Sequence, residues 1–248
     1  MIGNRRAPHD QREIKIVRGE SFVTLEDTKH LTEGELTDLI THLSKQTFTK
    51  DAFHLNILVH SKFSKEIGWL LKEHGFIKYD EIITVLKHLK DTYVEKPYTF
   101  IDLHIINEKE FLATWERVMT GSLNSTSINV EQQMDSLKIE LGSGYRDSCI
   151  LAFEGEKTIG VTIPHIEAGT IEEGRLFYFG LIPEERGKGK STILHRQTLS
   201  LLKSKFKATT YIGNTSEKNI PMLQVFRNNK CKVLEKNKVY KRIIHNND

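Results

Sequence analysis

Phe177-Tyr178-Phe179-Gly180-Leu181-Ile182-Pro183-Glu184-Glu185-Arg186-Gly187-Lys188-Gly189-Lys190-Ser191-Thr192 is the stretch on which the fold turns. The apolar run from Arg175 to Ile182 reads as a strand that Pro183 ends. Ser191–Lys203 then reads as a helix, with Ile193/Leu194 and Leu201/Leu202 two turns apart. Between them lies a loop with two glycines and three cations. Glycines let successive backbone N–H groups turn toward one point, and a helix start adds its own unpaired N–H groups and its positive dipole end. The expectation is a pyrophosphate cradle, with Lys188 and Lys190 reaching for peripheral phosphates. The plain alternative is a surface turn whose lysines serve solubility.

Two phosphate-binding patterns are excluded. Gly189-Lys190-Ser191 suggests a P-loop, but that motif needs glycine where Glu184 stands, and a carboxylate there repels phosphate. The dinucleotide pattern G-x-G-x-x-G fails at Thr192, and no βαβ unit with a ribose-binding acid follows. Working outward, Phe100–Ile106 alternates like a strand, and Asn107 caps a helix over Glu108–Met119. A Ser/Asn/Thr-rich loop, Gly121–Asn129, precedes a second helix over Val130–Leu141 that Gly142-Ser143-Gly144 stops. Ser148–Phe153 and Thr158–Ile163 form a hairpin through Glu154-Gly155-Glu156-Lys157. After the loop come a strand at Lys207–Ile212, a helix at Asn219–Arg227, and a closing hairpin of Cys231–Leu234 and Lys238–Ile244 turning at Glu235–Asn237. The order β-α-α-β-β-β-α-β-α-β-β predicts an α+β layered fold: a mixed, mostly antiparallel sheet with helices on both faces.

Arg186-Gly187-Lys188-Gly189-Lys190-Ser191 resembles the R-x-x-G-x-G/A acyl-CoA loop of the GNAT (Gcn5-related N-acetyltransferase) superfamily, with serine at the last position. Asn219-Ile220-Pro221-Met222-Leu223-Gln224-Val225-Phe226 resembles the family's N-x-x-A-x-x-x-Y helix, and the resemblance spans residues 98–248 in element order. It implies acetyl-CoA as acyl donor, bound where the fourth and fifth strands of the fold part. The pantetheine arm would pair with the backbone at Phe179 and Leu181. The pyrophosphate would take N–H groups from Arg186, Gly187, Lys188, Gly189, Lys190, Ser191 and Thr192, and Asn219 would contact the donor from the other side. The family's tyrosine, which protonates the leaving thiolate, aligns with Phe226, and phenylalanine has no proton to give. The general base has no clear counterpart; Glu173, at the start of the strand, is the candidate, with a hairpin of solvated acids as the alternative. Tyr178 and Tyr211 read as core or pocket aromatics.

Residues 1–97 read as a smaller, degenerate GNAT-like domain without an Arg/Gly loop, joined through Asp91–Pro97 to a donor-binding domain of residues 98–248. Ser64–Leu71 and Gly75-Phe76 lie over Asn219–Phe226 and Lys230-Cys231 at an offset of 155 residues, a pattern of elements rather than of identities. The 248-residue chain is 38% hydrophobic and 28% charged, which excludes collagen-like or low-complexity character. It offers no apolar run long enough to cross a membrane, and Met1–Pro8 has arginines with no apolar segment behind them, unlike a secretory leader. Residues 181–248 carry 15 basic and 5 acidic side chains, a net +10, whereas 98–180 carry 6 and 13, a net −7. So basic a segment suits an anionic partner or balances the acidic segment before it. Cys149 and Cys231 have no metal-ligand spacing, and the eleven histidines, lacking an i, i+4 pair beside a carboxylate, read as surface or packing residues. The expectation is a cytoplasmic N-acetyltransferase that acts on a small-molecule or peptide amine without metal, nucleic acid or membrane. A catalytically silent acyl-CoA-binding or regulatory module is the alternative.

Overall fold

Asn107 and Asn129 behave as the sequence requires of caps. Each carboxamide oxygen accepts a 2.8 Å bond from the backbone three residues on, at Glu110 and Gln132. They start α3 (Glu108–Met119) and α4 (Val130–Leu141). The computed structural model describes residues 14–18, 22–44, 52–90, 97–123 and 129–245. Most of the expected linker and of the Ser/Asn/Thr-rich loop lies outside them. By its internal contacts the chain forms two units.

The first unit comprises residues to Thr84, Asn214–Lys218 and Val233 onward. Its strands are β1 (Lys15–Arg18), β2 (Phe22–Glu26), β3 (Ala52–His60), the first part of β4 (Ile77–His88) and nearly all of β10 (Lys232–His245). β1 pairs antiparallel with β2, β2 runs parallel to β3, and β3 pairs antiparallel with β10 from Asn237↔His60 to His245↔Ala52. Helix α1 (Glu33–Ser44) opens with a reciprocal cap, Thr32 N–H to Glu35 Oε2 at 2.7 Å and Glu35 N–H to Thr32 Oγ1 at 3.2 Å. Its Leu36 and Ile40 pack with Ile67 and Leu71 of α2 (Lys65–Glu73) against Leu55, Ile57 and Val59.

The closing hairpin does not form. Glu235–Asn237 runs straight through as part of β10, because Asn237 to His245 match β3 residue for residue and Lys29 holds the Glu235 carboxylate at 2.8 Å. Turn-forming composition gives way to a long paired edge. The segment 233–248, expected with the second half, thus falls within the first unit.

The second unit, Val85–Gly213 with Asn219–Lys232, carries the quoted stretch. β5 (Thr99–Asp102), β6 (Ile150–Glu154), β7 (Lys157–Ile166) and β8 (Glu173–Leu181) form an antiparallel series, and β8 then runs parallel to β9 (Thr210–Ser216). β5 is shorter than the expected strand. Asp102 turns the chain at Leu103–Ile106 by accepting from Ile105 and Ile106 N–H on its carbonyl and from His104 N–H on its carboxylate. A short α5 (Tyr145–Ser148) follows the glycine stop after α4. Phe111, Trp115, Met134 and Leu137 of α3 and α4 cover one sheet face through Leu151, Val161, Ile163 and Tyr178. Leu194 of α6 (Lys190–Ser204) covers the other through Ala152, Ile159 and Leu181. The predicted mixed sheet with helices on both faces is present.

The pattern at an offset of 155 recurs in geometry. Lys65–Glu73 falls on α7 (Ile220–Asn228), and β4 begins on the residue that matches the start of β10. Each helix ends on the same three backbone bonds, including Phe76 N–H to Leu71 and Cys231 N–H to Phe226, both 2.9 Å. Gly75 and Lys230 share the positive φ that this ending needs.

Candidate functional site

β8 and β9 pair only at Glu173↔Thr210 and Gly174↔Tyr211. Beyond that point β8 continues to Leu181 and β9, within this unit, to Gly213, with no further pairing between them. β8 is bent there by a bulge: between Thr162↔Phe179 and Pro164↔Leu176 it spends one residue more than β7, at Phe177–Tyr178. The strands part like a V, and the glycine loop sits at the end of β8.

In that loop Gly187 and Gly189 both have φ +74°, and a Cβ on either would meet no atom within 4 Å. The backbone is left-handed there and faces open space. The N–H groups of Gly187, Lys188 and Gly189 have no acceptor among the described residues. Gly189 is also the N-cap of α6, whose first N–H groups follow. N–H groups along a backbone with left-handed residues are donors of the kind an anion accepts.

Its side chains are otherwise engaged. Arg186 donates to three backbone carbonyls, Leu181 at 3.1 Å, Thr120 at 2.8 Å and Val118 at 2.7 Å, and so ties the loop to the end of α3. Glu185 is buried and collects Lys157, Lys188 at 3.4 Å and Lys190 at 2.6 Å. Hydrogen bonds from Lys157 and Lys190 hold its carboxyl down at about 2. Lys190 also pairs with Glu154, and the two carboxylates raise its ammonium above the usual lysine range. Neither Lys188 nor Lys190 is thus poised over the loop. Thr192 is tied to the end of α7, its carbonyl accepting from Asn229 Nδ2 at 3.0 Å. Ser191 lies in the first turn of α6, partly exposed. Asn219 caps α7, accepting from Met222 N–H at 3.2 Å.

On the α6 and α7 side, a ring cluster joins the two arms of the V. His195 packs edge-on against Phe179 at 5.4 Å, Tyr211 at 5.3 Å and Phe226 at 5.7 Å between centroids. A Cβ on Gly213 would collide with Tyr211 Oη and approach Phe226 Cζ to 3.0 Å. The Tyr211 hydroxyl therefore sits beside the tip of the phenylalanine that stands in the motif's tyrosine position. Hydrogen bonding fixes its orientation. Arg196 Nε donates to Asn229 Oδ1 at 3.2 Å, which leaves the Asn229 amide nitrogen to donate to Thr192 O and to His195 Nδ1 at 3.0 Å. His195 Nε2 must then carry the ring hydrogen and give it to Tyr211 Oη, 3.2 Å away. The Tyr211 proton is left unspent. Burial and the Lys87 ammonium lower His195 to about 3, so the ring is neutral, and burial raises the Tyr211 hydroxyl.

Glu173 is held by Arg175, with Nη2 at 2.6 Å and Nε at 2.8 Å from one carboxylate oxygen, beside the point where the strands part. Sequence reasoning missed His195, Asn229 and Glu185. The first two lie among ordinary helix residues, and nothing in their spacing marks them.

No family model and no curated protein sequence matches the chain. Solved structures do. A GCN5-related N-acetyltransferase from Sphaerobacter thermophilus superposes with TM-score 0.63 at 14% identity, over 94% of this chain and 76% of that one. A GNAT-family acetyltransferase from Colwellia psychrerythraea gives 0.56 at 12%, over 91% and 78%. A tandem GNAT protein from the clavulanic acid biosynthesis pathway gives 0.55 at 9%, over 93% and 78%. The chain has the fold of the GNAT superfamily.

Proposed function

We propose that the second unit moves an acetyl group from acetyl-CoA directly to an amine, in the cytoplasm and without metal. The observation that carries this reading is the loop: two glycines at φ +74° with unpaired N–H groups, placed where β8 leaves the V. The donor's pyrophosphate would take those N–H groups and the first of α6, and its pantetheine arm would run along β8 at Phe179 and Leu181. Lys188 and Lys190 would exchange Glu185 for the peripheral phosphates, which gives the basic closing segment an anionic use without invoking nucleic acid. Arg186 acts through the backbone it holds. Asn219 shapes the start of α7 on the donor's other side.

Attack of a neutral amine on the thioester carbonyl forms the C–N bond and expels a thiolate, which needs a proton. Tyr211, donor-ready beside the point where the strands part, would supply it in place of Phe226. Glu173 would keep Arg175 in place beside the reacting carbonyl rather than act as base. Much of the acceleration would come from positioning. The first unit is read as a degenerate copy of the second, since it repeats the β3-α2-β4 pattern with no glycine loop of its own. The competing reading is a silent acyl-CoA-binding module, favoured by Phe226 and by the closeness of the ring cluster.

Calorimetric melting with and without acetyl-CoA, followed by thiol release in the presence of primary amines, tests the reading. Saturation at a hundredfold over Kd should stabilise the protein by about 2.7 kcal/mol. A melting temperature unmoved by millimolar acetyl-CoA would overturn it. Stabilisation without amine-dependent thiol release would favour the silent module.

A further inference from the structure

A cavity of about 440 Å3 lies in the second unit, lined in part by Glu140, Asp147, His165, Ile166, Lys205 and Phe206. It is separate from the glycine loop. His165 is only 5% exposed, and neither of its ring nitrogens makes a hydrogen bond of full geometry, although the Ile163 carbonyl lies close enough to act on the ring. Buried polar groups are nearly always paired, and leaving one unpaired is costly, so such a group in a cavity wall marks a place for a ligand. The nearest charged atoms to its Nε2 are Glu140 Oε1 at 3.6 Å and Glu167 Oε2 at 3.9 Å, too long for hydrogen bonds. Of these, Glu140 lines the cavity with His165, whereas Glu167 Oε2 is also 3.8 Å from Arg175 Nε; His165 Nε2 and Glu140 Oε1 together suit the N–H donors of an ammonium.

The cavity's place in the sheet is equally specific. His165 lies opposite Arg175 and Ile166 opposite Gly174, and Gly174 pairs with Tyr211 where the V opens. Neighbouring strands lie about 4.8 Å apart, so the backbone of His165 is within one or two strand spacings of the point where β8 and β9 part. We propose that this cavity is the acceptor site for a small primary amine, and that His165 is the catalytic residue that takes the amine's proton. The proposal rests on the acetyl-transfer reading for its chemistry, though not for binding of the amine.

The surroundings fit this role. From α4, Glu140 faces the ring; from beyond β7, Glu167; from β8, Arg175, which pairs with Glu173 at 2.6 Å and with Glu167 at 3.8 Å. Lys205, at the far wall, is matched by Asp102 at 3.0 Å and Asp147 at 2.9 Å. Carboxylates outnumber cations, so a cation is drawn in, while Leu141, Ile166 and Phe206 offer an apolar flank. Burial lowers the His165 pKa and Arg175 adds to this, against the Glu167 carboxylate and the Ile163 carbonyl, so the ring is a neutral acceptor near pH 7. The ammonium sheds one proton to solvent, and the amine nitrogen attacks the thioester carbon. A second proton passes from nitrogen to His165 Nε2 as the C–S bond breaks, and sulfur gains one from Tyr211. The protonated imidazole and the tyrosinate then exchange with solvent, so the ammonium gives up two protons, of which one is balanced by the thiol and one is released for each turnover.

The experiment has two arms. Protein labelled with 15N-histidine is titrated with n-butylamine and phenethylamine in the absence of acetyl-CoA, with His165→Gln assigning the resonance. Movement of the His165 ring signals, and none of His195, is expected; His165 signals that no amine moves would overturn the proposal. In the second arm, His165→Gln should keep acetyl-CoA affinity within twofold while kcat/KM for the amine falls at least 100-fold and the acid limb of its pH profile disappears. Glu140→Gln should raise KM about tenfold with a smaller effect on kcat. Wild-type turnover in His165→Gln, or an equal loss of acetyl-CoA binding, would overturn the assignment. Amine binding at His165 in a protein that ignores acetyl-CoA would sink the transfer reading and leave the amine site standing.

Discussion

Gly189 shows why one residue can carry both fold and site. At φ +74° it starts α6, a Cβ there would meet open space, and its N–H has no acceptor among the described residues. A β-branched residue there meets no clash with the protein, but it must adopt a left-handed backbone, a strain of roughly 1–3 kcal/mol. Gly189→Val should therefore lower the melting temperature by several degrees and weaken acetyl-CoA at least tenfold by calorimetry. Parental affinity in that variant would mean the loop is no cradle. Arg186→Ala should act differently. It removes a guanidinium that satisfies three carbonyls, so about 2 kcal/mol of stability should go in chemical denaturation. Lysine, without the planar fork, should restore little of it. An Arg186→Ala protein as stable as the parent would show those bonds to be incidental.

At the level of elements, the meeting of β9 with α6 and α7 decides what chemistry the V can host. Gly213 exists there because the tips of Tyr211 and Phe226 occupy the place of its side chain. Gly213→Ala should cost about 1–3 kcal/mol by overpacking. Adding Tyr211→Phe should recover part of that loss, since the atom in worst conflict is the hydroxyl. A double-mutant cycle by urea denaturation measures the coupling, and strict additivity would put the hydroxyl elsewhere. The motif helix α7 and the loop before α6 were legible in the sequence because their signals are local, a cap, a proline and glycines at fixed spacing. That Tyr211 comes to stand beside Phe226 was not legible, because the two meet only through the packing of a strand on a helix.

For the molecule as a whole, acid is the informative perturbation. His195 is fully buried and held neutral, with its folded pKa at about 3 against 6.5. The unfolded chain takes up that proton below pH 6.5 and the folded one does not. Stability is therefore complete above pH 6.5 and should fall toward pH 3, by up to about 1.4 kcal/mol per pH unit. Glu185 adds the same sign at lower pH, since its contribution is present above 4.5 and lost as pH drops toward about 2. In urea melts from pH 7 to 4, His195→Phe should be less stable but flatter; an unchanged slope would assign the acid sensitivity to other groups. Residues 98–248 expressed alone would keep β10 without β3 and expose the buried Tyr240 and Ile244. That fragment should melt well below the full chain, whereas an equal melting temperature would make the closing strand dispensable to it.

The sequence by itself determined the strand–loop–helix around Gly187 and Gly189, the asparagine caps, the α+β order of the second half and the echo of α2 in α7. All of these rest on backbone preferences that act within a few residues. It could not determine that Glu235–Asn237 stays extended, because β3 lies far off in the chain and supplies the pairing that overrides a turn. Nor could it show that Arg186 serves backbone carbonyls, that Glu185 gathers three lysines, or that His165 and His195 are buried on different elements. Burial and hydrogen-bond partners set those roles, and both arise only when distant segments pack.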